Sequence, residues 1–263
     1  MPSEAQQKGM NRAAFYDALR KRDSGVFGTN LSQGQVDGCE ILIDAALARR
    51  LPLNDFAYCL ATTYHETAHT MQPIHERGKR AYFDKYEPGT RIGKVLGNTV
   101  PGDGYRFRGR GDVQLTGRRN YALASKKLGV DFLAFPDRAL EPKLAAEILF
   151  AGMEEGWFTG RDLSDFIDDL DEEDAEDLRE FIEARRVVNG TDKARLIGEY
   201  ALAFERALRA AGYSPTEAPE KPVDAPEPVP VPTPPAAPAS LFAALIAWLA
   251  GLIAWLAGLI KRN

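Results

Sequence analysis

A proline-rich run at 214–240 divides this chain of 263 residues into parts that cannot share one hydrophobic core. The run contains ten of the 17 prolines and no Leu, Ile, Met or aromatic residue. Such a composition favours an extended polyproline II spacer of about 3 Å per residue. The sequence therefore predicts a globular domain at 1–213, a linker at 214–240 and a separate C-terminal segment at 241–263.

The C-terminal segment is strongly apolar. Residues 241–260 read LFAALIAWLAGLIAWLAGLI without a charge, and Lys261 and Arg262 follow. A helix of this length matches the hydrocarbon core of a bilayer, about 30 Å, so we predict a transmembrane or membrane-active helix. The LIAWLAG unit occurs twice in tandem and lines small residues along one face, which predicts self-association of this helix.

Composition excludes some classes of function. The net charge is -5 and a strongly acidic stretch covers 162–183, so we expect no nucleic-acid partner. Cys39 and Cys59 are too few for a disulfide framework, and we expect small core residues, with a single bridge as the alternative. The N-terminus lacks the apolar run of a secretory signal peptide.

Apolar residues recur at helical spacing through most of 1–213, which predicts a mainly α domain. Ser32 and Gln35 form an S-x-x-Q capping box ahead of one helix. The apolar face of the next helix begins at Leu53 and ends near Glu66. Further helices are predicted at 118–129, 142–156, about 162–185 and 191–211.

A long region between these helices carries many polar residues. Residues 77–113 are rich in Gly, Pro, Arg and Tyr, and we predict a long irregular segment that forms one wall of a cleft. Arginines cluster here and just beyond it, where they either bind an acidic glycan or lie in a solvated loop. They are Arg106, Arg108, Arg110, Arg118 and Arg119.

The segment YHETAHTMQPIHE at 64–76 is compatible with two chemistries. In the first, His65, Glu66 and His69 form the H-E-x-x-H of a zinc peptidase, with His75 as a third ligand. The longer zinc pattern requires a glycine at position 72, where this chain has Gln72.

The second chemistry is that of a glycosidase with two carboxyl groups. Glu66 closes an apolar helix, where partial burial disfavours the charged form and suits a general acid. Glu76 follows at the start of the irregular segment and is our candidate for the second carboxylate. Asp84 and Glu87 lie in the same segment and compete for that role.

A second motif, GYRFRGRGDVQLTGRRNY at 104–121, comes after the first, and ARRVVNG follows at 184–190. Together these motifs closely resemble the lysozyme-like glycoside hydrolase family 19, which includes class I type chitinases and related phage endolysins. The resemblance extends from about residue 14 to about residue 205. It implies a lysozyme-like helical domain with a cleft, no cofactor and no metal.

The resemblance also implies roles for individual residues. Glu66 matches the general acid, and Glu76 best matches the second carboxylate. Gln114 and Thr116 match the pair that holds the catalytic water. Three further positions match substrate-binding residues: Asn120, Tyr121 and Asn189.

The QLT stretch agrees with this role on physical grounds. Gln114 and Thr116 alternate with Val113 and Leu115, so an extended segment would turn both polar groups into the cleft and both apolar groups into the core. Asp112 departs from the family, where an aromatic or apolar residue is usual.

The sequence therefore predicts a phage endolysin that hydrolyses β-1,4 bonds of bacterial peptidoglycan by an inverting mechanism, without a cofactor. We expect it in the host cytoplasm or at the inner membrane, held by its C-terminal helix, and active on the periplasmic cell wall. Three alternatives stay open: a chitinase acting on chitin, a zinc metallopeptidase, and a non-enzymatic membrane-binding or wall-binding protein. The sequence leaves open which glycosidic bond is cut.

Overall fold

The computed structural model describes residues 10–168, 170 and 173–215. The membrane helix predicted at 241–260 and all of the linker from residue 216 onward lie outside these residues. Within them, no helix has the length and apolar character needed to cross a membrane. The helices are α1 (Arg12–Leu19), α2 (Gln33–Arg49), α3 (Leu53–Glu66), α4 (Arg91–Val95), α5 (Asp103–Arg106), α6 (Arg118–Leu128), α7 (Pro142–Glu154), α8 (Asp174–Ala184) and α9 (Ala194–Ala210).

The prediction of a mainly α domain is confirmed. The core is built around α3, in which Asn54 and every residue from Phe56 to Tyr64 are buried. Helix α9 packs against α3, α8 and α1, and α2 packs against α7. A helix that is buried on all sides is surrounded by other elements, which gives α3 its central place.

Helix α2 begins where the sequence predicts. The backbone N–H of Ser32 donates to Gln35 Oε1 at 2.8 Å, and Ser32 Oγ accepts from the Gln35 N–H at 3.3 Å. This reciprocal pair is a capping box, which satisfies two backbone donors at the helix start.

The single helix predicted at about 162–185 is wrong. The chain forms a short 3-10 turn at Leu163–Asp165, and α8 begins only at Asp174. Asp162 and Asp165 form a capping box that closes the turn on itself. Helix α8 then carries acidic residues in its first turn, where the helix dipole favours negative charge, whereas one continuous helix would place many carboxylates on successive turns.

The irregular segment predicted at 77–113 contains more regular structure than expected. It includes a 3-10 helix at Arg80–Tyr86 as well as α4 and α5. Strand β1 (Ile74–His75) pairs antiparallel with β2 (Arg110–Gly111), so this segment is held at both ends by one small ribbon.

Both cysteines are small core residues, as predicted. Cys39 and Cys59 are fully buried and free. The Cys59 thiol lies 3.4 Å from the sulfur of Met153, which places it in the contact between α3 and α7.

Helix α2 is docked on the loop that follows α3. The Gln35 side chain donates to the His69 carbonyl at 2.8 Å, and the Gln72 side chain donates to the Gly34 carbonyl at 2.6 Å. Gly38 makes this contact possible, because a Cβ at that position would lie 1.8 Å from the carbonyl oxygen of Met71.

We expect Gly38→Ala to lower the free energy of unfolding by about 2 kcal/mol, because the new methyl group forces α2 away from the Met71 backbone. Gly34→Ala is the matched control, because a Cβ at that position would meet nothing within 4 Å and alanine favours the helix. Urea unfolding of both variants checks this, and equal stabilities would contradict the close contact.

Candidate active site

One cavity of about 510 Å³ contains both glutamates of the predicted pair. We call it the active-site cleft. Its lining combines the two carboxylates with polar and apolar side chains from four separate parts of the chain. These residues are Glu66, Glu76, Tyr86, Ile92, Val95, Leu96, Val113, Gln114, Leu115, Thr116, Arg119, Asn120, Phe158, Val188 and Asn189.

Glu66 is the last residue of α3, as the sequence predicts, and its side chain is 19% exposed. Its Oε1 accepts a hydrogen bond from Arg185 Nη2 at 2.9 Å. Arg185 is itself buried and donates through Nε to the Asp192 carbonyl at 3.1 Å. The carboxyl group is therefore held in one orientation at the floor of the cleft.

Glu76 follows β1 directly and is held by neutral donors. Its Oε1 accepts from the Tyr86 hydroxyl at 2.9 Å, and its Oε2 accepts from the Gly109 N–H at 3.0 Å. Gly109 permits this approach, because a Cβ there would lie 2.7 Å from Gln114 Oε1 and 3.2 Å from Glu76 Oε2. Burial and the neighbouring carboxylate raise the pKa of Tyr86, so the hydroxyl stays a donor.

The two competing acids of the sequence prediction lie elsewhere. Asp84 is exposed on the 3-10 helix and does not line the cleft. Glu87 accepts from the backbone N–H groups of Gly102 and Gly104, at 2.7 and 3.2 Å, and so fixes the start of α5. The structure therefore brings Glu76, and neither of its competitors, into the cavity that contains Glu66.

Val113 and Leu115 are buried and Gln114 and Thr116 are half-buried, so burial alternates as predicted, but all four residues border the cleft and the predicted division between cleft and core is wrong. The backbone is a tight turn instead of an extended strand: Gln114 has a φ of 55°, and Leu115 bridges back to Arg110. The Gln114 amide donates to the Ile74 carbonyl at 3.0 Å, which ties the turn to β1.

The three predicted substrate-binding residues separate into two groups. Asn120 and Asn189 line the cleft. Tyr121 does not: its ring is fully buried, and its hydroxyl accepts from Arg110 Nη1 at 2.9 Å and donates to the Arg108 carbonyl at 3.0 Å. The prediction that Tyr121 binds the substrate is therefore wrong. Its buried side chain hydrogen-bonds to Arg110 and Arg108 and has no exposed surface for a substrate.

The histidines do not form the constellation that a zinc peptidase needs. Helix α3 ends at Glu66, and the left-handed φ of 68° at His69 turns that ring onto Tyr64 at a centroid distance of 4.1 Å. His75 contacts Arg108 instead, with Nδ1 3.2 Å from Nη2. Two histidines of an H-E-x-x-H site must lie one helical turn apart on the same helix. Among the described residues, no group of three potential metal ligands is assembled.

Sequence reasoning missed Arg185 and Tyr86, the side chains that hold the two glutamates. Arg185 precedes Asn189 by four residues in the ARRVVNG motif, and its carbonyl accepts from the Asn189 N–H at 3.0 Å. A buried arginine needs a carboxylate partner, which is the signal that could have linked this motif to Glu66.

Comparison with known proteins gives limited similarity. No protein-family model matches the chain, and no curated protein matches it. Among solved structures, the chain is similar to a chitinase C mutant, with 20% identity and a TM-score of 0.45, and to chitinase C from Streptomyces griseus HUT6037, with 18% identity and a TM-score of 0.43. Each match covers 77% of this chain and 92% of the chitinase. The side chains of the cleft therefore carry the functional assignment.

We expect Arg185→Ala to destabilise the domain by about 3 kcal/mol, because it leaves the partly buried Glu66 carboxylate without its partner. Arg186→Ala is the matched control: Arg186 pairs with Glu183 at the surface, and its loss should cost less than about 1 kcal/mol. Thermal unfolding of the two variants decides this, and similar losses would mean that the Arg185 pair contributes no more than a surface pair.

Asp112 is buried beside the turn that contains Gln114. Its Oδ1 has no hydrogen-bond partner within the described residues. Burial raises the pKa of Asp112 to about 7. In an unfolded chain an aspartate titrates near pH 4, so from roughly pH 4 to 7 only the folded state keeps the proton. The free energy of unfolding then falls by about 1.4 kcal/mol per pH unit across this window.

We expect Asp112→Asn to remove this fall, because asparagine does not titrate. Relative to the parent chain, the variant should gain about 2.6 kcal/mol of stability between pH 5 and pH 8. Urea unfolding at both pH values measures the gain, with Asp23→Asn at an exposed position as the control. A stability difference that is the same at both pH values would show that Asp112 does not titrate in this window.

Proposed function

We propose that this chain is a glycoside hydrolase that cuts β-1,4 bonds between the amino sugars of bacterial peptidoglycan and thereby serves host cell lysis. The observation that supports it is the meeting of Glu66 and Glu76 in one cleft, each held by hydrogen bonds. Most glycosidases use two oriented carboxyl groups in catalysis.

In this mechanism Glu66 acts as the general acid: Arg185 binds its Oε1, and Oε2 carries the proton that passes to the glycosidic oxygen. Glu76 acts as the base that takes a proton from the attacking water, and an inverting displacement follows. The hydrogen bonds from Tyr86 and Gly109 keep Glu76 oriented during this step. Gln114 and Thr116 line the same cavity and supply polar groups that orient the water.

The remaining lining suits a sugar chain. Ile92 and Val95 are 44% and 61% exposed at the cleft, and such apolar surface packs against the apolar faces of sugar rings. Asn120 and Asn189 add amide groups that can hydrogen-bond to hydroxyl and acetamido groups. A cleft with apolar and amide surfaces together is typical of carbohydrate recognition.

The test is mass spectrometry of fragments that the full chain releases from purified sacculi in excess EDTA. We expect new reducing ends, and a loss of at least about 100-fold with Glu66→Gln or Glu76→Gln, because general acid–base groups contribute that much. Asp84→Asn is the matched control, since Asp84 lies outside the cleft and its loss should leave release nearly unchanged.

Three results would contradict parts of this assignment. Cleaved peptide stems that appear only when zinc is restored would replace the glycosidase by a peptidase. Release that survives Glu76→Gln and fails with Asp84→Asn would transfer the second role to Asp84. Release of oligomers from chitin, with none from sacculi, would make the chain a chitinase.

A further inference from the structure

A second cavity, of about 620 Å³, lies outside the active-site cleft and shares no lining residue with it. We call it the arginine pocket. Five of its lining residues are arginines, and its other side chains are mostly small or apolar. The arginines are Arg80, Arg106, Arg108, Arg110 and Arg118.

The charges in the arginine pocket do not balance. Arg118 pairs with Asp103 at 2.6 Å, and Arg110 pairs with Asp137 at 2.8 Å. In the described part of the chain, no ion pair joins Arg80, Arg106 or Arg108 to a carboxylate. These three guanidinium groups therefore leave the pocket with an excess of positive charge.

Two of the unpaired arginines are held by neutral groups instead. Arg106 donates to the backbone carbonyls of Leu133 and Ala134, at 2.8 and 3.2 Å. Arg108 donates to the Tyr105 carbonyl at 2.9 Å. These contacts fix the guanidinium groups in place without neutralising them, and other N–H donors on each group stay available for a ligand.

Tyr105 brings two of these charges together. The guanidinium carbons of Arg80 and Arg108 lie 4.7 and 4.2 Å from the centroid of its ring. Cation–π contact stabilises each guanidinium, but two like charges at one ring repel each other. A bound anion would offset that repulsion. The positive field also extends to His75, whose pKa is lowered by burial and then by Arg108 and Arg110.

The arginine pocket and the active-site cleft lie on either side of one short ribbon. Glu76 lines the cleft, and the Gly109 N–H donates to it. Arg108 and Arg110, the neighbours of Gly109, line the arginine pocket. These two arginines of the pocket are therefore the direct chain neighbours of the residue that binds Glu76.

We propose that the arginine pocket binds carboxylate groups of the peptide stems on the glycan that occupies the cleft. This inference rests on the proposed function and names the feature that would separate peptidoglycan from chitin, which carries no anionic stem. Guanidinium groups bind carboxylates through paired, charge-assisted hydrogen bonds, and the excess of three arginines suits an acidic peptide.

The test measures binding of the full chain to intact sacculi and to the same glycan after enzymatic removal of its stems. The variant Arg80→Gln/Arg108→Gln should bind intact sacculi roughly tenfold more weakly, because it loses two charge contacts, one exposed and one half-buried. Its preference for intact over stem-free glycan should fall towards one. Added salt should reduce the preference of the parent chain in the same direction.

Two further variants control for charge and folding. Lys21→Gln/Arg22→Gln removes two charges from exposed positions away from the pocket, and it should keep the preference for intact glycan. Arg80→Lys/Arg108→Lys keeps both charges and loses the guanidinium fork, so an intermediate preference is expected. Thermal unfolding confirms that each variant is folded before binding is compared.

Two outcomes would overturn the inference. The first is a Gln variant that binds intact sacculi as the Lys21/Arg22 control does. The second is an arginine-dependent preference that survives stem removal and disappears when phosphate-bearing wall polymers are extracted, which would make phosphate the ligand. Binding and cleavage are separate readouts: arginine-dependent binding without new reducing ends contradicts the glycosidase proposal and leaves the pocket assignment standing.

Discussion

The point at which α3 ends determines the geometry of the cleft. This helix is buried along almost its whole length, yet its last residue, Glu66, must emerge from the core. Thr67 provides the stop: its hydroxyl donates to the Thr63 carbonyl at 2.7 Å and accepts from the Met71 N–H at 3.1 Å. Left-handed backbone at His69 and Met71 then turns the chain towards β1. A longer helix would have kept Glu66 inside and moved Glu76 away.

The second constraint is the small ribbon that returns Glu76 to Glu66. The Glu76 N–H donates to the Gly109 carbonyl at 2.8 Å, and the Gly109 N–H donates to the Glu76 carboxylate. The contacts between Glu76 and Gly109 thus fix both the register of the backbone and the orientation of the Glu76 side chain. The Gln114 amide adds a bond to the Ile74 carbonyl, so the QLT turn, the ribbon and the second carboxylate form one hydrogen-bonded unit.

The sequence was informative where a single local rule dominates. The capping box at Ser32 and the apolar face that ends at Glu66 depend on neighbours a few residues away, and both are confirmed. The same approach did not identify the roles of Arg185 and Tyr121, because those roles depend on partners that are distant in the chain. The motif around Tyr121 suggested a substrate contact, whereas burial and the bond from Arg110 decided its place. The start of helix α8 was predicted too early in the chain, because the spacing of apolar residues does not account for repulsion among the carboxylates.

Charge is distributed unevenly around the ribbon, with Arg108 and Arg110 lining one cavity and Glu76 lining the other. Arg108 and Arg110 contact His75 and Asp137, and within the described residues the donors to the Glu76 carboxylate are neutral. An arginine turned towards Glu76 would form an ion pair with it, as Arg185 does with Glu66. The glycine between the two arginines contacts Glu76 through its backbone N–H and carbonyl, while the arginine side chains line the arginine pocket. Side chains alternate between the two faces of a strand, so Arg108 and Arg110, two residues apart, lie on the same face. A single residue inserted in the ribbon would reverse the face on which the following side chains lie.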